Sequence, residues 1–310
     1  MPLAFLAVLL PALYWDQPVS TAPVLRKAGI ERLYVPASRA AAWRKLGFAV
    51  TALDPARAAK AVAPAVEYHP DVASATSVPW IDANGWQFER DSAKTYLYDA
   101  SPGSAALAVA EAFAYRADAA VRAAPRDLAT LARMLRFLDG IGRPDLPVRA
   151  NIGIIDDGSD TMGEVMNLMA RHSLLFHVIP SPDPAYNLIV RFGAGGYSRE
   201  DAADPYAFAM QIRHQLTDEK RLLRIYGSIV VLGRLYGNSA QARVHLLNYS
   251  KAEVRALRVR VLGEYPRGKL ADFGYPGAAL EDYRVADGAT EFSIPVMGPY
   301  AVIDLTHGHD

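Results

Sequence analysis

Short apolar runs alternate with helix-like patterns over the first half of the chain. Strands are predicted at 13–15, 32–35, 48–53 and 119–123, and helices at 21–28, 38–46, 104–116 and 127–138. Several of these helices end at a glycine, which is a common helix stop. Alternation of strand and helix is typical of a parallel sheet covered by helices. We therefore predict a parallel α/β domain over residues 13–147.

A second, smaller α/β pattern follows. Its strands are predicted at 152–155, 174–179 and 187–192, and its helices at 161–172 and 205–216. Thr161 and Glu164 have the spacing of a capping box at the start of the first helix. Asp156 and Asp157 end a buried strand, where an acidic pair is more often a helix cap or an interface feature than a site for a ligand or a metal. This segment predicts a flavodoxin-like domain over residues 148–225.

After Tyr226 the apolar positions recur with period two. Strands are predicted at 230–235, 241–249, 257–262, 291–296 and 301–305. Arg258 and Arg260 alternate with apolar residues, which indicates a sheet with one face in solvent. Glycine and proline supply turns at short intervals. An antiparallel β-sandwich is predicted over residues 226–310.

Composition excludes several kinds of chemistry. The 310 residues include 33 basic and 33 acidic side chains, so no long-range attraction to nucleic acid is expected. The chain has no cysteine, which excludes disulfides and thiolate metal sites. Five histidines lack metal-ligand spacing, namely His69, His172, His177, His214 and His245. His307 and His309 in the tail could chelate a metal, but a frayed terminus is the favoured account. The glycine-rich segment from Gly193 lacks the dinucleotide fingerprint. We expect no metal and no cofactor.

The amino terminus has the pattern of an export signal. Residues 3–10 form an apolar run that is followed by Pro11 and Ala12. The run is shorter than the roughly 20 residues that a membrane-spanning helix needs. We predict a signal peptide over residues 1–12 and a secreted or periplasmic protein without a membrane span. The alternative is a cytoplasmic protein whose first element is buried.

One stretch of the second α/β segment carries a family resemblance. It comprises Ile-Gly-Ile-Ile-Asp-Asp-Gly-Ser-Asp from Ile152, Glu-Val-Met-Asn-Leu-Met-Ala from Glu164 and Leu-Leu-Phe-His-Val from Leu174. With the domain order, it resembles the retaining β-galactosidases, in which a catalytic barrel precedes an amidotransferase-like trimerisation domain and a terminal β-sandwich. The resemblance implies glycoside hydrolysis by two carboxylates. About 135 residues are available for the first domain, whereas a complete barrel needs at least about 200, so a reduced or open barrel is expected.

Three carboxylates are candidates for catalysis. Retaining glycosidases hold two carboxyl groups about 5 to 5.5 Å apart, and inverting enzymes about 6.5 to 9.5 Å apart. Glu67 and Glu89 form the main candidate pair, with Asp82 as a third group. The alternative is that these are solvated surface carboxylates. Glu111 lies in an apolar helix and is interpreted as a structural residue.

Aromatic and polar residues cluster between Trp80 and Trp86. Sugar rings stack on aromatic planes, while carboxylate and amide groups take their hydroxyls. The predicted sugar-binding residues are Tyr14, Trp15, Asp16, Trp80, Asn84 and Trp86. The first three end a strand of the parallel sheet, the usual position for ligand sites. The alternative is that both tryptophans lie in the core and that residues 82–85 form a turn.

These observations predict an exported, carbohydrate-active protein that binds an oligo- or polysaccharide. The alternative is a non-catalytic sugar-binding or assembly module with the same fold. A homo-oligomer is also expected. The helix over 161–172 carries Met162, Met166 and Met169 outside its predicted core positions, and such an apolar surface favours association.

Overall fold

The computed structural model describes residues 10–67 and 79–308. Positions 1–9 of the predicted signal segment therefore lie outside the described residues, and positions 10–12 lie within them. His69 and His309 also lie outside the described residues. The described chain divides into two compact units. Residues 10–65, 82–84 and 91–142 form the first unit, and residues 66–67, 79–81, 85–90 and 143–308 form the second.

The amino-terminal elements run from residue 12 to residue 141. The strands are β1 Ala12–Tyr14, β2 Arg32–Val35, β3 Ala49–Ala52, β4 Ala59–Ala61, β5 Ala65–Glu67, β6 Trp80–Asp82, β7 Thr95–Asp99 and β8 Asp118–Arg122. The helices are α1 Ala22–Ala28, α2 Ala37–Lys45, α3 Gly85–Arg90, α4 Ala105–Ala114 and α5 Leu128–Ile141. Helix α3 belongs to the second unit.

Six parallel strands form the sheet of the first unit, which confirms the predicted α/β class. The order is β3-β2-β1-β8-β7-β4. Strands β1, β2 and β3 are neighbours in chain order, as are β7 and β8, whereas β4 pairs with β7 although β5 and β6 lie between them in the chain. The first strand pairs with the last strand of the sheet, with Leu13 opposite both Leu33 and Val121. Strands β3 and β4 are the two edges of this sheet and make no pairing with each other among the described residues.

Alanine allows α4 to pack closely in the first unit. Every residue of α4 is buried, and the helix packs against α5 and β8. Alanine has the highest helix propensity and loses no side-chain entropy on burial. The side chain that departs from this apolar pattern is Glu111, which is also fully buried.

The second unit contains a small parallel sheet and two antiparallel sheets. Its strands are β9 Ile152–Ile154, β10 Phe176–Val178, β11 Leu188–Val190, β12 Leu223–Tyr226, β13 Val231–Gly237, β14 Gln241–Asn248, β15 Val254–Leu262, β16 Arg267–Asp272, β17 Glu281–Ala286, β18 Ala289–Met297 and β19 Tyr300–Thr306. Its helices, besides α3, are α6 Asp160–Arg171 and α7 Pro205–Lys220.

The parallel sheet has the order β10-β9-β11, with helix α6 between β9 and β10 in the chain. Ser159 caps α6, because its side-chain oxygen accepts a hydrogen bond from the N–H of Met162. The predicted capping box at Thr161 and Glu164 is therefore wrong by two residues. Helix α7 has a non-helical residue, Thr217, at φ +60°, one residue after the predicted helix end.

Two four-stranded antiparallel sheets complete the second unit. Their orders are β12-β15-β18-β17 and β13-β14-β19-β16, and inward-facing residues of both contribute to one hydrophobic cluster. The alternation predicted in β15 holds at Arg258, which is exposed. Arg260, however, is 9% exposed and lies beside Glu291, so the outer face is partly covered.

The methionines of α6 correct one expectation. Met162, Met166 and Met169 are all 0% exposed and belong to a core cluster of the second unit. Helices α3 and α7 both pack against α6, so the second unit itself covers this surface. The argument for oligomerisation from exposed methionines is therefore wrong, while association itself stays a prediction that light scattering can test.

Close packing at Gly163 generates a stability prediction. A Cβ atom at this position would lie 2.9 Å from Nη1 of Arg90 and 3.0 Å from the Trp86 ring. Helical Gly→Ala normally stabilises by about 1 kcal/mol, whereas overpacking costs about 1 to 3 kcal/mol. We expect Gly163→Ala to lower the free energy of unfolding, measured by denaturant titration.

Gly140, in α5, provides the matched control. A Cβ at Gly140 would meet nothing within 4 Å. Gly140→Ala should therefore leave stability unchanged or raise it by up to about 1 kcal/mol. Equal stabilisation by both substitutions would contradict the packing described at Gly163.

Candidate functional site

Asn84 is part of a buried hydrogen-bond network in the first unit. Its backbone N–H donates to Oε1 of Glu111 at 2.7 Å, and its Nδ2 donates to Oε2 of Glu111 at 2.8 Å and to the carbonyl of Val62 at 2.9 Å. Its Oδ1 accepts from the N–H of Val62 at 2.8 Å. Asn84 is fully buried and its amide group is fully used. It is therefore unavailable to the sugar hydroxyls for which it was predicted.

Glu111 connects this network to β7. The hydroxyl of Tyr98 donates to Oε2 of Glu111 at 2.7 Å. Burial, together with the neighbouring Glu111 carboxylate, raises the pKa of Tyr98 well above its ordinary value. The structural role predicted for Glu111 agrees with these hydrogen bonds, which Asn84 and Tyr98 donate to its carboxylate.

The three predicted sugar contacts at the end of β1 differ in exposure. Trp15 is buried and its Nε1 donates to Oγ1 of Thr21 at 2.9 Å. Tyr14 is also buried, with the guanidinium carbon of Arg122 5.0 Å from the ring centroid. Burial raises the pKa of Tyr14. Asp16 is exposed and accepts a hydrogen bond from Gln17 at 2.9 Å, so it is the accessible member of the three.

Trp80 and Trp86 are half-buried and both pack against the core cluster around α6. The guanidinium carbon of Arg171 lies 4.3 Å from the Trp80 ring centroid, a cation–π arrangement. The Trp86 ring borders Gly163. Asp82 is half-buried and follows Trp80 by two residues on β6, so these two side chains point to the same side of the strand.

The predicted catalytic glutamates lie on different elements of the second unit. Glu67 is exposed at the end of β5. Glu89, on α3, forms an ion pair with Arg234, which is 3% exposed. His177 is near this pair, and its Nδ1 lies 2.8 Å from the Tyr186 hydroxyl. Burial lowers the pKa of His177 below its ordinary value. Asp82 belongs to the first unit.

A crevice of about 680 Å³ opens where β9 and β11 end. It is lined by Ile155, Asp156, Asp157, Arg191, Phe192, Gly193, Ser198, Arg199 and Glu200. Strand β9 leads to β10 on one side, while β11 lies on the other, so the crevice is at a topological switch point of the sheet. Ligands of open α/β sheets bind in this position. Sequence reasoning noted Asp156, Asp157 and Gly193 individually but did not identify the crevice.

Asp156 is held in place by Arg90. Nε of Arg90 donates to Oδ2 at 2.7 Å and Nη2 donates to Oδ1 at 2.8 Å, while the N–H of Gly158 donates to Oδ1 at 2.9 Å. A two-point guanidinium–carboxylate pair fixes both groups. Nη2 of Arg90 also donates to the carbonyl of Ser159 at 2.9 Å. Arg90 thus ties α3 to the loop that precedes α6.

Asp157 is held on the other side of that loop. It accepts hydrogen bonds from the backbone N–H of Ser159 at 3.0 Å and from its hydroxyl at 2.6 Å, and it forms an ion pair with Arg199. Burial acts to raise the pKa of Asp157, but the bonds from Ser159 and the Arg199 charge outweigh it and lower that pKa. The acidic pair therefore orders the loop before α6 and pairs with Arg90 and Arg199, whereas the cap of α6, which the sequence favoured for this pair, is Ser159.

The described residues show two further absences. No group of three or more carboxylates, histidines or cysteines in them could hold a metal ion. No helix in the described part of the chain is long and apolar enough to cross a membrane.

In comparison with known proteins, the fold of this chain is similar to that of a solved α-L-fucosidase. α-L-Fucosidase isoenzyme 2 from Paenibacillus thiaminolyticus matches 92% of this chain and 79% of its own, with a TM-score of 0.56 and 7% identity. A GH42 β-galactosidase from G. stearothermophilus matches 80% of this chain and 53% of its own, with a TM-score of 0.38 and 8% identity. This chain thus spans about half of that β-galactosidase. No protein-family model matches the chain, and no curated protein does.

The buried network at Asn84 yields a second prediction. Asn84→Ala removes the Nδ2 donor to Oε2 of Glu111 and both side-chain bonds to Val62, while the backbone N–H still donates to Oε1. A buried polar group that loses its partner costs about 1 to 3 kcal/mol. We expect the free energy of unfolding to fall by about 2 to 3 kcal/mol in denaturant titration. Asp16→Ala, at an exposed position, should change it by less than about 0.5 kcal/mol. Similar effects of the two substitutions would argue against a structural role for Asn84.

Proposed function

We propose that the protein is an exported carbohydrate-binding relative of the glycoside hydrolases, without hydrolytic activity of its own. In this proposal the chain comprises a reduced barrel over 13–147, a flavodoxin-like domain over 148–225 and a β-sandwich over 226–310. The six-stranded sheet opened between β3 and β4 and the two antiparallel sheets with a common cluster support this order. Export is supported by the apolar run at residues 3–10.

The half-buried tryptophans support carbohydrate binding. Trp80 and Trp86 are packed on the core around α6 on one side and retain solvent exposure. A ring that is already fixed loses little side-chain entropy when a ligand stacks on it. The planar faces of such rings suit the C–H faces of pyranoses.

The ion pair between Glu89 and Arg234 carries the non-catalytic part of the proposal. Arg234 is almost fully buried, and a buried cation needs a nearby carboxylate. Removing one partner of a buried pair typically costs 3 to 5 kcal/mol, because the other charge is left uncompensated. Glu89 is therefore assigned to stability, which removes one member of the candidate pair with Glu67.

The binding proposal is tested with a neutral glycan array and titration of the glycans that bind. Trp80→Leu and Trp86→Leu keep an apolar side chain but remove the stacking plane, and each should weaken binding by about 1 to 3 kcal/mol. Trp43→Phe is the control, because Trp43 is fully buried in the first unit. It should affect stability but not affinity. Undiminished binding in both leucine variants, with the fold verified by circular dichroism, would refute the stacking surface.

Hydrolysis is the second candidate function. The observation that favours it is the likeness of this fold to the α-L-fucosidase isoenzyme 2 structure, together with the exposed carboxylates of Asp16 and Glu67. A screen of aryl glycosides, including α-L-fucosides and β-galactosides, decides between the two. The binding proposal expects no turnover. Turnover that falls at least a hundredfold in Asp16→Asn, Glu67→Gln or Asp82→Asn, with the fold verified by circular dichroism, would establish the enzyme instead.

A further inference from the structure

The crevice at the ends of β9 and β11 contains two charged side chains that nothing in the described structure neutralises. Arg191 and Glu200 line it, both are exposed, and neither has an ion-pair partner among residues 10–67 and 79–308. The remaining charged groups at the crevice are paired, Asp156 with Arg90 and Asp157 with Arg199. One positive and one negative group are thus available to a ligand.

The size and position of the crevice suit a small molecule. Its volume of about 680 Å³ falls within the range of typical ligand pockets, about 300 to 1,000 Å³. The walls next to β9 are preorganised, since Arg90 and Ser159 hold the two aspartates in fixed positions. The Phe192 ring adds an apolar surface, which the Arg199 guanidinium overlies at 5.1 Å from the ring centroid.

The charges at the crevice select the type of anion. A guanidinium group binds a carboxylate through two parallel hydrogen bonds, which suits the unpaired Arg191. Among the described residues, Glu200 is the lining carboxylate without an ion-pair partner, and its charge disfavours a second negative charge on the ligand. A monoanion is therefore preferred to a phosphate dianion. Glu200 can accept hydrogen bonds only from ligand hydroxyl or amine groups.

We propose that this crevice binds a monosaccharide that carries a carboxylate, such as a hexuronate, with the carboxylate on Arg191 and hydroxyls on Glu200. The anion follows from Arg191, and the choice of a sugar for the rest of the ligand rests on the proposed function. This site is distinct from the tryptophan surface and takes an acidic sugar rather than a neutral glycan.

Isothermal titration of the full chain with four probes tests the proposal. Glucuronate should bind at least about tenfold more tightly than glucose, which lacks the carboxylate, and than acetate, which lacks the hydroxyls. Glucose 6-phosphate should bind more weakly than glucuronate, because its phosphate carries the second charge. If acetate bound as tightly as glucuronate, the crevice would be a simple anion site, and the proposal would be overturned. Glucose binding as tightly as glucuronate would also overturn it.

Substitutions of the lining residues test whether glucuronate binds in the crevice. Arg191→Gln should weaken glucuronate binding by about tenfold or more, and Glu200→Gln by about threefold. Both residues are exposed, so both variants should fold like the parent chain, which thermal unfolding verifies. Arg284→Gln is the control, since Arg284 is an exposed arginine of β17 away from the crevice lining. Unchanged glucuronate affinity in Arg191→Gln would overturn the proposal.

The same titrations separate this inference from the proposed function. Trp80→Leu should retain glucuronate binding while losing affinity for neutral glycans. Arg191→Gln should show the opposite pattern. If either single variant lost both glucuronate binding and neutral-glycan binding, the two sites would not be separate. If one kind of binding is absent from the parent chain, the proposal for the other site still stands.

Discussion

The second unit depends on burial of helix α6. Seven of its twelve residues are buried, including three methionines, and a helix lying on one sheet normally buries only a stripe. Helix α6 must therefore pack against neighbours on more than one side. Besides the parallel sheet, helices α3 and α7 are those neighbours. Methionine suits this position, because its flexible thioether fills irregular gaps between elements that meet at different angles.

The absence of a side chain at Gly163 allows α3 to approach closely enough for Arg90 to reach Asp156. Packing and electrostatics are thus coupled. The apolar contact of Trp86 with α6 positions helix α3. Arg90, the last residue of α3, then fixes the loop before α6, which forms one wall of the crevice. A cost in helix propensity at the glycine is offset by this alignment.

Sequence patterns predicted elements whose periodicity is local. Strand β2 and the start of α7 match their predicted bounds, and β9 differs by one residue. Strand β4 was missed because Ala-Lys-Ala is only three residues long and both residue types are depleted in strands. Its place in the sheet depends on pairing with β7. β7 itself, Thr-Tyr-Leu-Tyr-Asp, has the aromatic composition of a buried strand and could have been found.

The candidate site was less accessible to sequence reasoning, because burial and pairing arise from distant residues. Asn84 has the neighbours of a turn, yet its partner Glu111 lies 27 positions further along the chain. Glu89 is paired with Arg234, 145 positions away. A carboxylate in an otherwise apolar helix was the one visible sign of such a network. These long-range contacts decide whether a polar side chain forms structural hydrogen bonds and ion pairs or remains available to a ligand.

The strand order of the first unit has a consequence for how that unit assembles. Strands β1, β2 and β3 pair consecutively, so they can assemble in the order in which the ribosome makes them. The other edge of β1 pairs with β8, where Ala12 lies opposite Ala120. That edge therefore stays unpaired until β8 has been synthesised. Loop-closure entropy makes such distant pairing slow. The first unit is therefore expected to form as two three-stranded halves that join at the β1–β8 seam. Until then the open edge of β1 is exposed to pairing with other chains, so synthesis of β8 ends the period of greatest aggregation risk.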